Sequence, residues 1–573
     1  MENGNRSVWR ERAMERLAGE RFDVAVIGAG MTGLGVALDA AARGLSVALV
    51  DKADLASGTS SKSSKLVHGG LRYLQHGELA LVREGLVERQ RLIENAWPLV
   101  QPLPFVIPLY RTGTPLDLVM VPGYSAALFG YDIAGGFRIG ARHRRLSRSG
   151  VLSELPWLKP EGLRAGFRYF DATADDCRLA LAVARTAVER FGAVVLTYAG
   201  VSGLERGSTG RVEALQVRPS APGEGTDPIE VKARVVVNAA GVWSDELRAM
   251  VSSAEPSLVP AKGVHFALRR ESLPTERAAA LPVPGEGRLI FVIPAGPFTY
   301  IGTTDTPYDG DLDHVRCEAD DLGYLLEAVN GHLARPLSVS EVTGVWAGLR
   351  PLLAAGGASA TSMGSGTADL SRRHSVSARD GMVTVTGGKL TTYRRMAEDA
   401  VDLALELLGE PGRRSTTKGL QLLGSLPGPK GRAAAASVAD LGAPADGLPP
   451  ELVAELVRRH GSESSPILAL IAEDPSLGEP IAPGLPWLAA EAVWAARHEL
   501  VTRLDDVLSR RTRAAIFDTR AAWEAAPAVA DRLAGELRWT PEALEDEIEA
   551  SRRALEADLL AAGLAPPAGL APA

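Results

Sequence analysis

The sequence predicts an α/β fold followed by a separate helical region, and three observations carry that expectation. Residues Phe22 to Asp51 read as strand, glycine turn, helix and second strand. Strand-like and helix-like segments keep alternating downstream, the pattern of helices packed on a largely parallel sheet. After about Gly409 the texture changes to Ala, Leu, Glu and Arg at helical spacing. The expected organisation is an N-terminal extension over 1–20, an α/β region over 21–408, a linker over 409–435 marked by the Pro and Gly cluster near Pro427 to Lys430, and a helical domain over 436–560. Residues 561–573, all Ala, Pro, Gly and Leu, hold too few large apolar side chains to offset their ordering entropy and are expected as an unordered tail.

The first strand is Phe22 to Ile27, and the turn GAGMTG follows at Gly28 to Gly33. Gly28 makes the tight turn, Gly30 admits a pyrophosphate, and Gly33 lets the helix from Leu34 to Arg43 meet the strand. Phosphates then sit on the helix N-terminus. The second strand, Ser46 to Val50, ends in Asp51, about 20 residues past the glycines, where a carboxylate accepts from both adenosine ribose hydroxyls. The unit as a whole predicts a dinucleotide site. The motif alone leaves NAD and FAD open, while a carboxylate at Asp51 argues against the ribose phosphate of NADP. Further on, Leu179 to Glu189 reads as helix, and Val194 to Tyr198 and Arg234 to Asn238 as strands.

Bulk properties narrow the function classes. A chain of 573 residues has a sizeable core and exceeds one ordinary domain. With 62 Lys plus Arg against 70 Asp plus Glu, the net charge of −8 disfavours nucleic acid as a partner. Cys177 and Cys317 are far apart and lack metal-site or disulfide spacing, so they read as reduced cytoplasmic thiols, and no metal is expected. The first twenty residues lack a signal-peptide core, and no window of ~18 residues is continuously apolar, so any membrane contact is expected to be peripheral.

Three further segments suit a flavin better than a nicotinamide. The run GTSSKSSKLVHGGLRYL, Gly58 to Leu74, offers small hydroxyls and exposed backbone through Ser60, Ser61, Ser64, Lys65 and Leu66, where a solvated serine loop is the plainer reading. His68, Gly69, Gly70, Arg72 and Tyr73 then set glycines beside a cation and an aromatic, a combination that suits a ligand wall. In VVVNAAGVWSDEL a strand runs into a turn at Gly241, a common feature of α/β proteins generally. In MVTVTGGKLTTYRRMAED a strand meets Gly387 and Gly388, and a helix begins near Leu390 and Thr391; its N-terminus would favour a reduced, anionic flavin ring.

With these residues in view, the chain resembles the FAD-dependent glycerol-3-phosphate dehydrogenases of aerobic glycerol catabolism, within the flavoprotein group that includes D-amino-acid oxidase. The resemblance runs from about Phe22 to Thr512. It rests on the glycine turn through HGGLRYL, on FDATADDCRLALAVARTAV, GTTDTPYDGD, GLRPLL and TGGKLTTYRRMAED, and on RHELVTRLDDVLSRRTR. It implies a D-amino-acid-oxidase-like, FAD-binding Rossmann-like fold, with the 21–408 region divided discontinuously between FAD-binding and α+β substrate-binding parts. It implies FAD as cofactor and oxidation of sn-glycerol 3-phosphate to dihydroxyacetone phosphate.

The resemblance also assigns residues. Arg72, Arg350, Arg372 and Lys389 match basic residues that line the family's substrate pocket, with Tyr73 beside them, and such cations suit a phosphate ester. Arg373 adjoins Arg372, and the choice between them depends on a gapless local alignment. His265 in AKGVHFAL matches a pocket histidine, so His265 and Arg350 are the candidates for handling the hydroxyl proton; without the resemblance, a lone His beside Phe266 reads as a core residue. Bacterial members usually deliver electrons to membrane quinone. The apolar stretch Leu116 to Phe137, followed by Arg138, Arg142, Arg144, Arg145 and Arg148, reads equally as a bilayer-docking surface or as an internal helix beside a basic loop. The expected location is cytoplasmic, peripheral on the inner membrane face, and a homodimer is admissible. An oxygen-reducing glycerol-3-phosphate oxidase is the nearest rival, though the long insertion of that family is not seen; a non-catalytic flavin sensor is the rival from another class. The segment RHELVTRLDDVLSRRTR is either a cap laced by Arg and Asp or a partner surface.

Overall fold

The computed structural model describes residues 6–70, 78–111, 116–135, 139–222, 225, 227–251, 257–283, 286, 288–353, 374–427 and 447–567, without the side chains of 6–8 and 116–119. Five strands run parallel in the order Met382–Gly387, Ile229–Asn238, Arg21–Ile27, Val47–Val50, Val194–Leu196, with His374–Arg379 antiparallel at one edge. Val24 to Ile27 are all buried, because a central parallel strand is covered on both faces. On one face the helix Met31–Ala42 packs against the helices Asp176–Phe191 and Tyr393–Leu408. On the other, Ala13 and Leu17, one turn apart on the helix Arg6–Gly19, bury against the sheet, and Arg10 donates to the Thr197 carbonyl at 2.9 Å. From Arg6 onward the N-terminal extension is therefore a packed helix.

A second, mixed sheet pairs Val100–Tyr110 with Leu163–Ala174, and Leu258–Arg269 with Val342–Leu353, almost along their whole lengths. The short strand Leu66–Val67 pairs with Leu163–Ala174, so the chain leaves the serine loop directly into this sheet. One face packs on the helix Leu116–Ile133 and the C-terminal helices, the other on the helix Ala319–Asn330.

The helices Pro450–His460, Ser464–Glu473, Ala489–His498, Thr519–Leu537 and Pro541–Ala561 follow. They do not stand apart: Phe517 stacks on Phe298 and meets Tyr300 and Trp346 edge-on. Residues 409–427 are likewise stitched to the sheet domain, where Ser415 and Thr417 donate to the buried Asp39 and Leu422 is buried. At the chain end Leu564 is buried and the Ala565 carbonyl accepts from Arg520, so contacts order the low-complexity stretch as far as the description reaches; residues 568–573 lie outside it. The segment RHELVTRLDDVLSRRTR is a cap. Arg510 and Arg511 both grip Asp54, which follows the second strand, and Arg178 of the helix Asp176–Phe191 pairs bidentately with Glu499 at 2.7 and 2.8 Å.

Candidate active site

The glycine turn forms the floor of a channel. Gly28 adopts φ +107°, and a Cβ there would lie 2.7 Å from the Ala239 carbonyl oxygen; one on Gly33 would lie 1.9 Å from the Gly28 carbonyl oxygen. Backbone, not side chain, therefore lines the turn. The N-terminus of the helix Met31–Ala42 opens into the channel, and Ser60 Oγ accepts from Met31 N at 2.8 Å. Asp51 accepts from Ala29 N at 2.5 Å and Ala53 N at 2.8 Å, one bond per oxygen, which leaves each oxygen a lone pair for a further donor. Burial pushes its carboxyl up to about 6 against the pull of those two amides. Asn238 binds the Ser244 carbonyl and the Ala240 amide, fixing the turn that brings Ala239 to Gly241 into the wall. Gly387 and Gly388, at φ +72° and +84°, close the far side.

This cavity of about 310 Å³ shares Thr59, Ser63, Lys389 and Leu390 with a second of about 570 Å³, which reaches the mixed sheet. The second is lined by Ser64, Leu66, His68, Gly70, His265, Arg350 and Thr391 among others. Two linked chambers, one with a ribose acid and a phosphate-ready helix end, the other with apolar walls and cations, fit an extended FAD with room for a small substrate beside its ring.

His265 sits on the central strand Leu258–Arg269, opposite Trp346 and Gly302. Its ring stacks on Trp346 at 4.9 Å between centroids, and Nε2 faces Ser64 Oγ at 2.8 Å. Gly302 is required there, since a Cβ would lie 2.0 Å from the His265 ring. Burial, then the charges of Lys65 and Arg350, hold the imidazole well below its usual range, so the ring is neutral. Arg350 is oriented by Asp305 at 3.1 Å, Thr303 Oγ1 at 3.1 Å and the Thr304 carbonyl at 3.0 Å.

The structure thus gathers Gly28, Gly30, Asp51, Ser60, Gly241 and Gly388 round the first chamber, and Ser64, Leu66, Gly70, His265, Arg350 and Thr391 round the second, with Lys389 and Leu390 in both. Gly33 acts from behind the turn. Ser61 and Lys65 are buried beneath the loop: Lys65 Nζ turns away to Asp176, at 3.3 Å. Arg72, Tyr73, Arg372 and Arg373 lie outside the described residues. Reasoning from the sequence missed Lys62, Arg288 and Asp305 in the cavity wall, and Trp346 beneath His265. Asp305 was legible within GTTDTPYDGD and Lys62 within GTSSKSSKLV; Arg288 and Trp346 carried no signal separating them from ordinary strand or loop residues.

Comparison with known proteins agrees with this geometry. Residues 23–394 match the family of FAD dependent oxidoreductases, and residues 415–544 match the C-terminal domain of alpha-glycerophosphate oxidase. Glycerol-3-phosphate dehydrogenase 2 of Mycobacterium tuberculosis is 41% identical over 554 residues, covering 96% of this chain and 91% of that protein. The chain belongs to the FAD-dependent glycerol-3-phosphate dehydrogenase family. The family extends to a probable mitochondrial glycerol-3-phosphate dehydrogenase of Caenorhabditis elegans, 34% identical over 94% of this chain and 74% of that one. The glycerol-3-phosphate dehydrogenase of Bacillus halodurans, solved in complex with FAD, superposes with a TM-score of 0.75 at 29% identity, covering 96% of this chain and 97% of that one. The protein is a flavoprotein oxidoreductase of D-amino-acid-oxidase-like fold, and FAD is its cofactor.

Proposed function

We propose that this dehydrogenase-family protein oxidises sn-glycerol 3-phosphate to dihydroxyacetone phosphate and passes the electrons to membrane quinone. The observation that carries the reading is the joint placement of Lys389, Arg350 and the neutral His265 in one chamber continuous with the nucleotide channel. FAD, when bound, supplies the acceptor for the C2 hydrogen and its electron pair. Lys389 gives the phosphate a point charge, and Arg72 and Arg372, by their positions in the matched motifs, add bidentate forks. Held there, the phosphate orients a carbon several bonds away. Arg350, already fixed by Asp305 and the two threonines, presents a preset positive charge to the oxygen that becomes the carbonyl.

His265 Nε2 receives the hydroxyl proton through Ser64, whose Oγ lies 2.8 Å from it and hands its own proton to the ring as it takes the substrate's. That proton becomes strongly acidic as C2 loses its hydrogen with the electron pair, so an imidazole of depressed basicity suffices, and the substrate's negative charge offsets the cost of charging a buried ring. For the acceptor, the support is a surface on which Phe129 and Ile133 are 61% and 64% exposed. His143 Nδ1 contacts Asp132 at 2.7 Å, which places the exposed Arg142 and Arg144 next to Ile133. Among the described residues no helix is long and apolar enough to cross a membrane.

The test is anaerobic mixing of the purified yellow protein with glycerol 3-phosphate. Bleaching of the flavin's visible band is expected with this substrate and not with glycine, and His265→Ala should slow it by about 100-fold or more. An unbleached wild-type protein would overturn the reading. Sedimentation with anionic, quinone-containing vesicles at low salt checks the acceptor: protein left wholly in the supernatant counts against quinone delivery.

A further inference from the structure

We propose that Arg513, from the C-terminal helical region, is a positioning residue of the oxidation site: with Asp176 and Lys65 it fixes the Ser60–Lys65 loop, and through Ser64 it sets the orientation of His265. The inference rests on the oxidation reading above.

Arg513 is 2% exposed, and its Nη2 donates both to the Ser61 carbonyl and, at 3.0 Å, to Asp176 Oδ1. Asp176 opens the helix Asp176–Phe191, and its other oxygen accepts from Ser63 N at 3.1 Å and Ser63 Oγ at 2.7 Å. Lys65 Nζ reaches the Ser61 carbonyl and Asp176, each at 3.3 Å. The loop is thus held from below by two cations and a carboxylate. It is held from the sheet side by Trp346 Nε1, which donates to the Ser63 carbonyl at 3.3 Å, and by Tyr300, whose hydroxyl donates to the Ser64 carbonyl at 2.9 Å.

The two ends of this loop serve different chambers. Ser60 meets the helix N-terminus of the nucleotide channel, and Ser64 meets His265. A shift of the loop therefore disturbs both. Lys65 Nζ also lies 4.8 Å from the centre of the Trp346 ring on which His265 stacks. A second observation marks Arg513 itself: it is a non-glycine residue at φ +73°, in the left-handed region, immediately before the helix Ala514–Phe517. Such a conformation persists where surrounding contacts over-determine it, and here those contacts are its bonds to the loop. Removing the guanidinium leaves the Ser61 carbonyl short of a donor and Asp176 short of a cation, inside a buried network whose members depend on one another.

The experiment compares Arg513→Met and Arg513→Lys with Arg459→Met, which breaks an equally buried pair with Glu491 in the same helical region. FAD affinity is read by titrating apoprotein with FAD, and limiting flavin reduction and substrate dissociation by anaerobic stopped flow. Arg513→Met is expected to bind FAD about tenfold more weakly and to reduce it about tenfold more slowly, with substrate affinity within about twofold. Arg513→Lys should recover both to within about threefold, and Arg459→Met should match wild type in both. Ser64→Ala, which leaves the buried charges intact, should slow reduction by about tenfold while weakening FAD binding by less than about threefold. A folded Arg513→Met with wild-type FAD affinity and reduction rate overturns the proposal, as does Arg459→Met with the same losses. If Arg513→Met does not fold, Ser64→Ala at the wild-type reduction rate overturns it. Should wild-type protein not be bleached by glycerol 3-phosphate, the oxidation reading fails while the FAD titrations still test the clamp.

Discussion

Replacing Asp51 by Asn changes the pH dependence of cofactor binding in a way that the structure sizes. Burial pushes the Asp51 carboxyl up to about 6, roughly 2 units above an unperturbed aspartate, which corresponds to ~3 kcal/mol. Partial contact with solvent in the channel reduces this to ~2 kcal/mol. The sign follows from the raised value. In the protein without FAD this group's stabilising contribution is complete below about pH 4 and is lost as pH rises through about 6. The ribose hydroxyls donate to the lone pairs left free by Ala29 and Ala53, and they favour the ionised form. FAD affinity should therefore rise about tenfold per pH unit up to about 6, with uptake of FAD releasing a proton, and level off above. Asp51→Asn should abolish that slope and weaken binding at neutral pH by about 10–100-fold, the worth of hydrogen bonds to a charged acceptor. Without FAD the variant should be slightly more stable than wild type at about pH 8, because the buried charge is gone while one Asn amide group now faces an N–H donor. Fluorescence quenching of FAD by apoprotein from about pH 5 to 8, with thermal melts in parallel, reads all three effects. A flat wild-type affinity across that range would refute the reasoning.

Gly33→Ala should yield protein purified almost free of FAD, judged by the ratio of visible to ultraviolet absorbance, because the added Cβ would stand 1.9 Å from the Gly28 carbonyl; Gly19→Ala, with nothing within 4 Å of the new carbon, should retain FAD fully. Burial raises the Glu491 and Glu499 carboxyls, but Arg459 and Arg178 overrule it and hold both at about 2. Their contribution to stability is present above about pH 4.5 and lost as pH falls towards 2, so urea midpoints should drop steeply over that window. Glu499→Gln, which leaves Arg178 without its buried counter-charge, should cost ~3–5 kcal/mol at neutral pH.

Much of the nucleotide half was legible because its signals are local. Gly28, Gly30, Gly33 and Asp51 fall within one strand–turn–helix–strand unit, where spacing alone dictates backbone geometry and the position of the acid. Met382 to Leu390 was legible for the same reason: a strand running into two glycines and a helix is a short-range pattern. The substrate chamber was legible only through resemblance, since His265, Arg350 and Lys389 come from three separate strands and turns and share no spacing. Composition gave no sign of the packing at the two chain ends. Charged residues at 1–20 concealed the Ala13 and Leu17 stripe, and the plain Ala and Pro run hid the burial of Leu564, because a single apolar side chain that meets a preformed groove leaves no periodicity.

The sequence by itself determined the α/β class, the dinucleotide site and, through its motifs, the family. Each rests on short segments whose residues lie within about thirty of one another, where chain geometry leaves little freedom, and the family on several such segments in order along the chain. The tertiary structure alone decided that RHELVTRLDDVLSRRTR caps the core, that Asp54 receives Arg510 and Arg511, and that Arg513 reaches the loop beneath the cavity. Those partners are more than 450 residues apart along the chain, and an Arg at such a distance obeys no local rule. Only the fold, by removing both partners from water together, makes the pairing of those charges obligatory.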